Sequence, residues 1–225
     1  IPLKDDFAID VSEYMIENGG IILPNPNAPT GVLLDISSIE RILEVNQKSV
    51  VIIDEAYIDF GGESVLPFID KYDNLLLVRT FSKSRALAGS RIGYAFGSKK
   101  LISYLLDVKY SFNSYTMDSL TMKIGKAAME DMDYFAETTA KIIKTREWTK
   151  QQLKALGFSF TDSYANFIFF FFLDGDARAL FEALKQEKIY VRYFNKPRID
   201  DYLRISIGTQ EEMEVLIGFL KKYYL

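Results

Sequence analysis

The chain has 225 residues, of which 48% are hydrophobic and 26% are charged, so it can bury a large core without disulfides or structural metals. It contains no cysteine and no histidine, which excludes thiolate chemistry, Ser-His triads and histidine metal ligands. A net charge of −4 offers no attraction to nucleic acid or to an anionic membrane. The longest apolar run, residues 167–173, is too short to span a bilayer, so we expect neither kind of partner and a cytoplasmic location.

The first half of the chain predicts strands alternating with helices. Four short apolar runs predict strands: residues 20–23, 49–53, 75–78 and 92–96. Ser37 with Glu40 has the spacing of a capping box, which predicts a helix from there to about Asn46. Strands alternating with helices are typical of a mostly parallel sheet in an α/β domain.

The second half predicts long helices followed by a small α+β unit. Residues 116–156 lack proline and repeat apolar side chains at helical spacing, which predicts one or two helices ending at Gly157. The later pattern predicts a strand at 166–173, a helix at 176–187, and strands at 189–193 and 202–207. A capping box of Thr209 and Glu212 then predicts the start of a closing helix.

Polar residues follow three successive predicted strands. They are Asn25 and Asn27 after the first, Asp54 and Tyr57 after the second, and Ser82 and Lys83 after the third. Ligands of open α/β sheets bind outside the carboxyl ends of the strands. We therefore expect one site built from these three loops.

Lys83 and Asp54 are the residues best suited to chemistry. A solvated loop is the ordinary interpretation of a lysine, but Ser82 and Arg91 add a hydroxyl and a bidentate guanidinium, which together suit an aldehyde cofactor carrying a phosphate. Asp54 could be a turn cap or the magnesium ligand of a P-loop NTPase. The latter fails because the only Gly-Lys pair, at 125–126, is followed by alanine.

Three motifs resemble the core of the fold-type I aminotransferases, which use pyridoxal 5′-phosphate. They are NPNAPTG at 25–31, VIIDEAY at 51–57 and RTFSKSRALAGSRIG at 79–93. With VRYF at 191–194, LRISIGT at 203–209 and SYANF at 163–167, the chain is similar to the histidinol-phosphate aminotransferases of class II, over nearly its whole length. The resemblance implies an α/β fold with a partial cofactor-binding large domain at 1–135 and a small C-terminal α+β domain at 136–225. The helices of 116–156 would link them.

The resemblance also implies a role for each site residue. Lys83 would bond to the cofactor aldehyde and then move the substrate proton, Asp54 would pair with the pyridine nitrogen, and Tyr57 with the ring oxygen. The remaining positions divide between the cofactor (Ser82, Arg91, Thr80 and, beside the ring, Asn27) and the substrate (Arg192, Arg204 and Asn166). Related enzymes often have asparagine where this chain has Ala28, which leaves Asn27 as the nearest amide. Ordinary surface pairing is the alternative for Arg192 and Arg204.

By this resemblance we expect amino-group transfer between histidinol phosphate and 2-oxoglutarate or glutamate, in histidine biosynthesis, by a homodimer. The alternatives are an aromatic aminotransferase, a threonine-phosphate decarboxylase of the same fold, or a catalytically silent fragment. The chain begins with Ile1, whereas family members have an upstream stretch that contributes a phosphate-binding helix start, a stacking aromatic ring and an arm to the partner. We therefore expect a fragment that lacks its N-terminal part and binds cofactor weakly.

Overall fold

A computed structural model describes residues 1–171 and 176–224, which form two four-stranded sheets. The strands of the first sheet are β1 (Ile21–Pro24), β2 (Val51–Asp54), β3 (Leu75–Thr80) and β4 (Gly93–Gly97), in the order β1-β2-β3-β4. The first three strands are parallel and β4 is antiparallel to β3. The predicted mostly parallel sheet is confirmed.

The first helix, α1 (Ile36–Val45), begins two residues earlier than its predicted capping box. Asp35 is the N-cap, and its side chain accepts hydrogen bonds from the backbone and the hydroxyl of Ser38. The interpretation of Ser37 with Glu40 as a capping box was wrong, because Glu40 instead accepts hydrogen bonds from Lys71 and Tyr72. The chain after β4 forms α2 (Lys99–Phe112), which the sequence analysis did not predict and which contributes no buried side chain within the described residues.

The predicted long helical region is two helices, α3 (Ser119–Glu130) and α4 (Met132–Ala155). Asp131 ends the first helix and caps the second, accepting a hydrogen bond from the backbone of Tyr134. Gly157 follows the end of α4 with φ of +83°, a conformation that suits glycine.

The second sheet is antiparallel and smaller. It consists of β5 (Ser159–Phe160), β6 (Phe167–Phe171), β7 (Arg192–Tyr193) and β8 (Leu203–Ser206), in the order β5-β6-β8-β7. The predicted strand at 189–193 is only two residues long, and residues 172 and 173 of the predicted strand 166–173 lie outside the described residues. Helices α5 (Ala177–Gln186) and α6 (Gln210–Tyr224) complete the unit. The capping box of α6 is confirmed by reciprocal hydrogen bonds between Thr209 and Glu212.

Each sheet has its own apolar core. The first core joins β1, β2 and β3 to α1, and the second joins one face of β6 and β8 to α4, α5 and α6. The amino-terminal segment reaches the second sheet, where Phe7 packs edge-on against Phe169 and Tyr202. The division at residues 135 and 136 stays a prediction. No helix in the described part of the chain is both long and apolar enough to cross a membrane.

Candidate active site

The carboxyl ends of β1, β2 and β3 lie side by side at one edge of the first sheet. Pro24 pairs with Asp54, and Asp54 pairs with Val78, two residues before Thr80. The backbone amide of Asn25 continues this pairing by donating to the carbonyl of Asp54 at 2.8 Å. The three polar loops therefore start from neighbouring positions, as the sequence predicts.

Lys83 and Tyr57 meet across two of these loops. The Nζ atom of Lys83 lies 5.0 Å from the centroid of the Tyr57 ring, and both residues are half-buried. The turn that holds Lys83 is closed by the amide of Ala86, which donates to the Lys83 carbonyl at 3.0 Å. Among the described residues no carboxylate lies within 4.0 Å of this amine. The amine is therefore held by an aromatic ring rather than neutralised by an acid.

Asp54 keeps part of its carboxylate available. Its Oδ1 atom accepts a hydrogen bond from the amide of Ala56 at 2.9 Å, and its Oδ2 atom has no partner within residues 1–171 and 176–224. The side chain is half-buried at the end of β2. The turn-cap interpretation explains the Oδ1 atom only, and the Oδ2 atom can accept a hydrogen bond from a ligand.

The loop after β3 brings two hydroxyls together but not the arginine. Thr80 donates its hydroxyl to the Oγ atom of Ser82 at 2.9 Å, and the amide of Ser82 donates back to Thr80 at 3.1 Å. Arg91 is exposed, has φ of +55°, and donates to the carbonyl of Ala88 at 3.0 Å. In the described structure its guanidinium does not contact Ser82 or Thr80.

The loop after β1 is stabilised by its own amides. Asn25 is buried, and its side chain donates to the Leu34 carbonyl and accepts from the Leu34 amide, at 3.1 and 2.8 Å. Asn27 accepts a hydrogen bond from the Thr30 hydroxyl at 3.0 Å. Asn25 therefore maintains the loop rather than facing the site, and the carbonyl oxygen of the Asn27 side chain is engaged within the loop.

A buried ion pair beneath the site was missed by the sequence analysis. Glu55 is fully buried and accepts two hydrogen bonds from Arg79, at 2.7 and 3.0 Å, and one each from Ser64 and from the amide of Val65. Burial lowers the pKa of Arg79, but the hydrogen bonds and charge of Glu55 outweigh it, so the pKa is raised overall. The available signal was the position of both residues at the ends of adjacent strands.

The two arginines of the second sheet form a pair that faces away from its core. Arg192 and Arg204 are directly opposite each other on β7 and β8. Their guanidinium carbons lie 5.5 and 5.9 Å from the centroid of the Phe194 ring. Neither has a carboxylate within 4.0 Å in the described ranges. The alternative of ordinary surface ion pairing is therefore not supported among these residues.

Phe167 connects this arginine pair to the lysine loop. The guanidinium of Arg204 lies 4.9 Å from the centroid of Phe167, and the ring of Phe167 packs edge-on against Tyr57 with centroids 5.1 Å apart. Lys83, Tyr57, Phe167 and Arg204 thus form one continuous series of contacts from the first sheet to the second. Asn166 lies next to this series; its carbonyl accepts from the amide of Ile207 at 2.9 Å, and its side chain is half-buried.

Comparison with known proteins identifies similar sequences. The family model described as aminotransferase class I and II matches residues 1–220. The histidinol-phosphate aminotransferase of Lactococcus lactis subsp. cremoris is 56% identical over 223 residues, which are 99% of this chain and 63% of that protein. The chain thus spans about 63% of the length of that relative.

Solved structures give the same fold. The histidinol-phosphate aminotransferase of Clostridium acetobutylicum superposes with a TM-score of 0.90 at 24% identity, over 99% of this chain and 70% of that one. The histidinol-phosphate aminotransferase of Sinorhizobium meliloti, in complex with pyridoxal-5′-phosphate, superposes with a TM-score of 0.80 at 25% identity, over 91% of this chain and 58% of that one.

Proposed function

Because this chain belongs to the aminotransferase class I and II family, we propose that it carries the catalytic lysine and the substrate arginines of a pyridoxal-phosphate-dependent aminotransferase. We propose that this enzyme exchanges an amino group between histidinol phosphate and 2-oxoglutarate or glutamate, as a step of histidine biosynthesis. The observation that carries the proposal is the contact series from the Lys83 amine to Arg204 and Arg192, two cations without acidic partners among the described residues.

The residues present fit the cofactor by their chemistry. Lys83 supplies an amine free of carboxylates, and Asp54 keeps one oxygen without a partner in the described structure. The hydroxyls of Thr80 and Ser82 lie 2.9 Å apart at the end of β3, where they can donate to a phosphate. When bound, pyridoxal phosphate supplies an electron-withdrawing ring that delocalises the negative charge left after proton removal.

Each side chain then has one task. With the cofactor bound, Lys83 would provide the amine that holds it and would take and return the substrate proton at its Nζ atom. Asp54 would keep a proton on the ring nitrogen, and Tyr57, with Asn27, would hold the ring oxygen. Thr80, Ser82 and Arg91 hold the phosphate; for Arg91 this requires its exposed side chain to turn inward.

Arg192 and Arg204 bind the anionic end of the substrate, and Asn166 contacts the substrate beside them. Like charges directly opposite each other on a sheet destabilise it, so a bound anion between these guanidiniums relieves a cost of about 0.2–1 kcal/mol. A guanidinium pair binds either a phosphate or a carboxylate by donating bidentate hydrogen bonds to it. This fits a reaction whose two amino compounds end in different anions.

The experiment is addition of pyridoxal phosphate to the full-length natural protein, followed by measurement of the visible absorbance of lysine-bound cofactor. We expect the band to be lost in Lys83→Ala and retained in Lys48→Ala, an exposed lysine before β2 at the opposite edge of the first sheet. A half-reaction with histidinol phosphate should then convert the band, and phenylalanine should not. No band would favour the silent alternative. Conversion by phenylalanine, or release of carbon dioxide from threonine phosphate, would favour the rival activities.

We also propose a homodimer. Its support is the exposed apolar surface of α2 and the following loop, where Phe112 is 91% and Tyr115 is 93% exposed. Analytical ultracentrifugation of the natural protein tests this directly, and a monomer at micromolar concentration would contradict it. The cytoplasmic location stays a prediction.

A further inference from the structure

Arg146 is a buried cation that the proposed chemistry does not use. It lies in α4 with its side chain only 5% exposed. Its NH1 atom donates to two backbone carbonyls, that of Phe60 at 2.8 Å and that of Ala165 at 3.0 Å. Its Nε atom donates to Glu147 at 2.8 Å, so the charge is compensated. One buried guanidinium nitrogen therefore joins two segments that are far apart in sequence.

Both carbonyls belong to segments that carry site residues. Phe60 ends the 3₁₀ turn Ile58–Phe60 that Tyr57 begins, and its amide donates to the Tyr57 carbonyl at 3.2 Å. Ala165 lies two residues before Phe167, and the two are joined through Ser163, whose hydroxyl donates to the Phe167 carbonyl. Through these backbone carbonyls Arg146 therefore fixes the segments that carry Tyr57 and Phe167, whose ring centroids are 5.1 Å apart.

Other bonds fix the second segment to α4 but not to the Tyr57 turn. Lys150 donates to the Ser163 carbonyl at 3.0 Å and to Asp162 at 2.8 Å. The amide of Tyr164 donates to the carbonyl of Gly31 at 2.9 Å, in the loop after β1. In the described chain, Arg146 is thus the side chain whose hydrogen bonds span from the Tyr57 turn to the segment before β6.

We propose that Arg146 is a positioning residue that fixes the separation of Tyr57 and Phe167, and with it the distance from the Lys83 amine to the Arg204 guanidinium. This inference rests on the proposed function, because the distance from Lys83 to Arg204 matters only if a substrate of matching length binds between them. Lysine cannot reproduce these contacts from two separate nitrogens, because its single ammonium would have to replace both NH1, which reaches the two carbonyls, and Nε, which bonds Glu147. Asp54, Thr80 and Ser82 make no hydrogen bond to Arg146 in the described structure, so among the proposed cofactor residues Arg146 acts through Tyr57.

The test compares Arg146→Lys and Arg146→Met with Lys154→Met, which removes an exposed cation from the last turn of the same helix. In the full-length protein loaded with pyridoxal phosphate, we expect cofactor affinity to be unchanged in Lys154→Met and to fall by no more than about tenfold in the two Arg146 variants, the loss expected for the Tyr57 hydroxyl. A misplacement of about 1 Å costs up to about 100-fold in rate, so kcat/KM for histidinol phosphate should fall by up to about that factor in both Arg146 variants. Lys154→Met should match the parent protein.

A second readout separates this inference from the proposed function. Amide hydrogen exchange should become faster at residues 58–61 and 163–167 in both Arg146 variants, and not at residues 51–54 of β2. If the parent protein has no aminotransferase activity, the proposed function fails, and unchanged exchange at both segments would overturn the coupling as well. If Arg146→Met does not fold, Arg146→Lys decides the question. An unchanged kcat/KM, or a loss that only follows lost cofactor, would show that Arg146 serves packing alone.

Discussion

Arg192 and Arg204 are cross-strand neighbours on β7 and β8, and both guanidiniums lie against the ring of Phe194. The pair faces the first sheet rather than the core of its own unit, because Arg204 alternates along β8 with the buried Leu203 and Ile205. Two cations that have no acidic partner among the described residues are unfavourable for the fold at this position and suited to an anion.

We therefore expect Arg204→Gln to separate stability from binding. Removing one of two opposed charges should leave the free energy of unfolding unchanged or raise it by up to about 1 kcal/mol. The KM for histidinol phosphate should rise, because a charge-assisted bidentate contact is lost. Urea unfolding and steady-state kinetics measure the two effects. Arg178→Gln, an exposed arginine on α5, is the control, and a fall in stability without a change in KM would indicate a structural arginine.

Tyr57→Phe tests the hydroxyl apart from the ring. Phenylalanine keeps the edge contact with Phe167 and the ring beside Lys83, so the melting temperature should not change. The affinity for pyridoxal phosphate should fall by up to about tenfold, which corresponds to one lost hydrogen bond. Absorbance titration measures it. Equal affinity would mean that the hydroxyl does not meet the cofactor, and Tyr57→Leu should additionally lower stability.

Gly31→Ala should destabilise the junction of the two sheets. Gly31 has φ of +74°, and a Cβ atom there would lie 2.7 Å from the Cβ of Ser163. Backbone strain alone costs about 1–3 kcal/mol, and the steric overlap adds to it. Thermal unfolding should show a clear loss, whereas Gly89→Ala, where an added Cβ meets nothing within 4 Å, should not. Equal melting temperatures for the two variants would contradict this close approach.

The Glu55–Arg79 pair should be costly to break from one side. Arg79→Met leaves the fully buried Glu55 carboxylate without its cation, which we expect to cost about 3–5 kcal/mol. The double variant with Glu55→Gln should recover part of this loss, because no buried charge remains. A double-mutant cycle on the free energy of unfolding measures the coupling. Additive effects of the two changes would show that the pair is not coupled.

Asp35 gives a pH-dependent contribution to stability. Hydrogen bonds from the hydroxyl of Ser37, then from the hydroxyl and amide of Ser38, lower the pKa of this N-cap carboxyl to about 2. The folded-state pKa lies below the unfolded value of 3.8, so the stabilisation is present above pH 3.8 and is lost as the pH falls towards 2. Asp35→Ala should cost about 1 kcal/mol at pH 7.

The control for this prediction is Asp35→Asn, which keeps a capping oxygen but cannot ionise. Its difference from the parent protein should be smaller than that of Asp35→Ala at pH 7, and it should grow as the pH rises from 2 to about 5, because only the parent protein gains stability by ionisation. Urea unfolding at several pH values measures both variants. A constant difference between the parent protein and Asp35→Ala from pH 2 to 7 would show that ionisation of Asp35 does not matter.

The sequence alone determined the features that depend on near neighbours along the chain. It located the strands of the first sheet, the α6 capping box of Thr209 and Glu212, and the polar strand ends that carry Asp54 and Lys83, because apolar periodicity and turn chemistry are local. Its error at α1 was also local: Asp35 caps the helix by accepting from the Ser38 amide, and Ser37 donates its own hydroxyl to Asp35 instead of acting as the cap. Helix α2 was missed because it has no buried face in the described structure to impose a pattern.

Only the tertiary structure decided which distant residues meet. The pairing of Glu55 with Arg79, the contact series from Lys83 through Tyr57 and Phe167 to Arg204, and the two carbonyls shared by Arg146 all join segments separated by many residues. Such contacts depend on how the two sheets pack against α4. A charge that this packing buries must be hydrogen-bonded, as Glu55 and Arg146 are. No local pattern encodes these contacts, because their free energy arises only when the chain has brought those groups together.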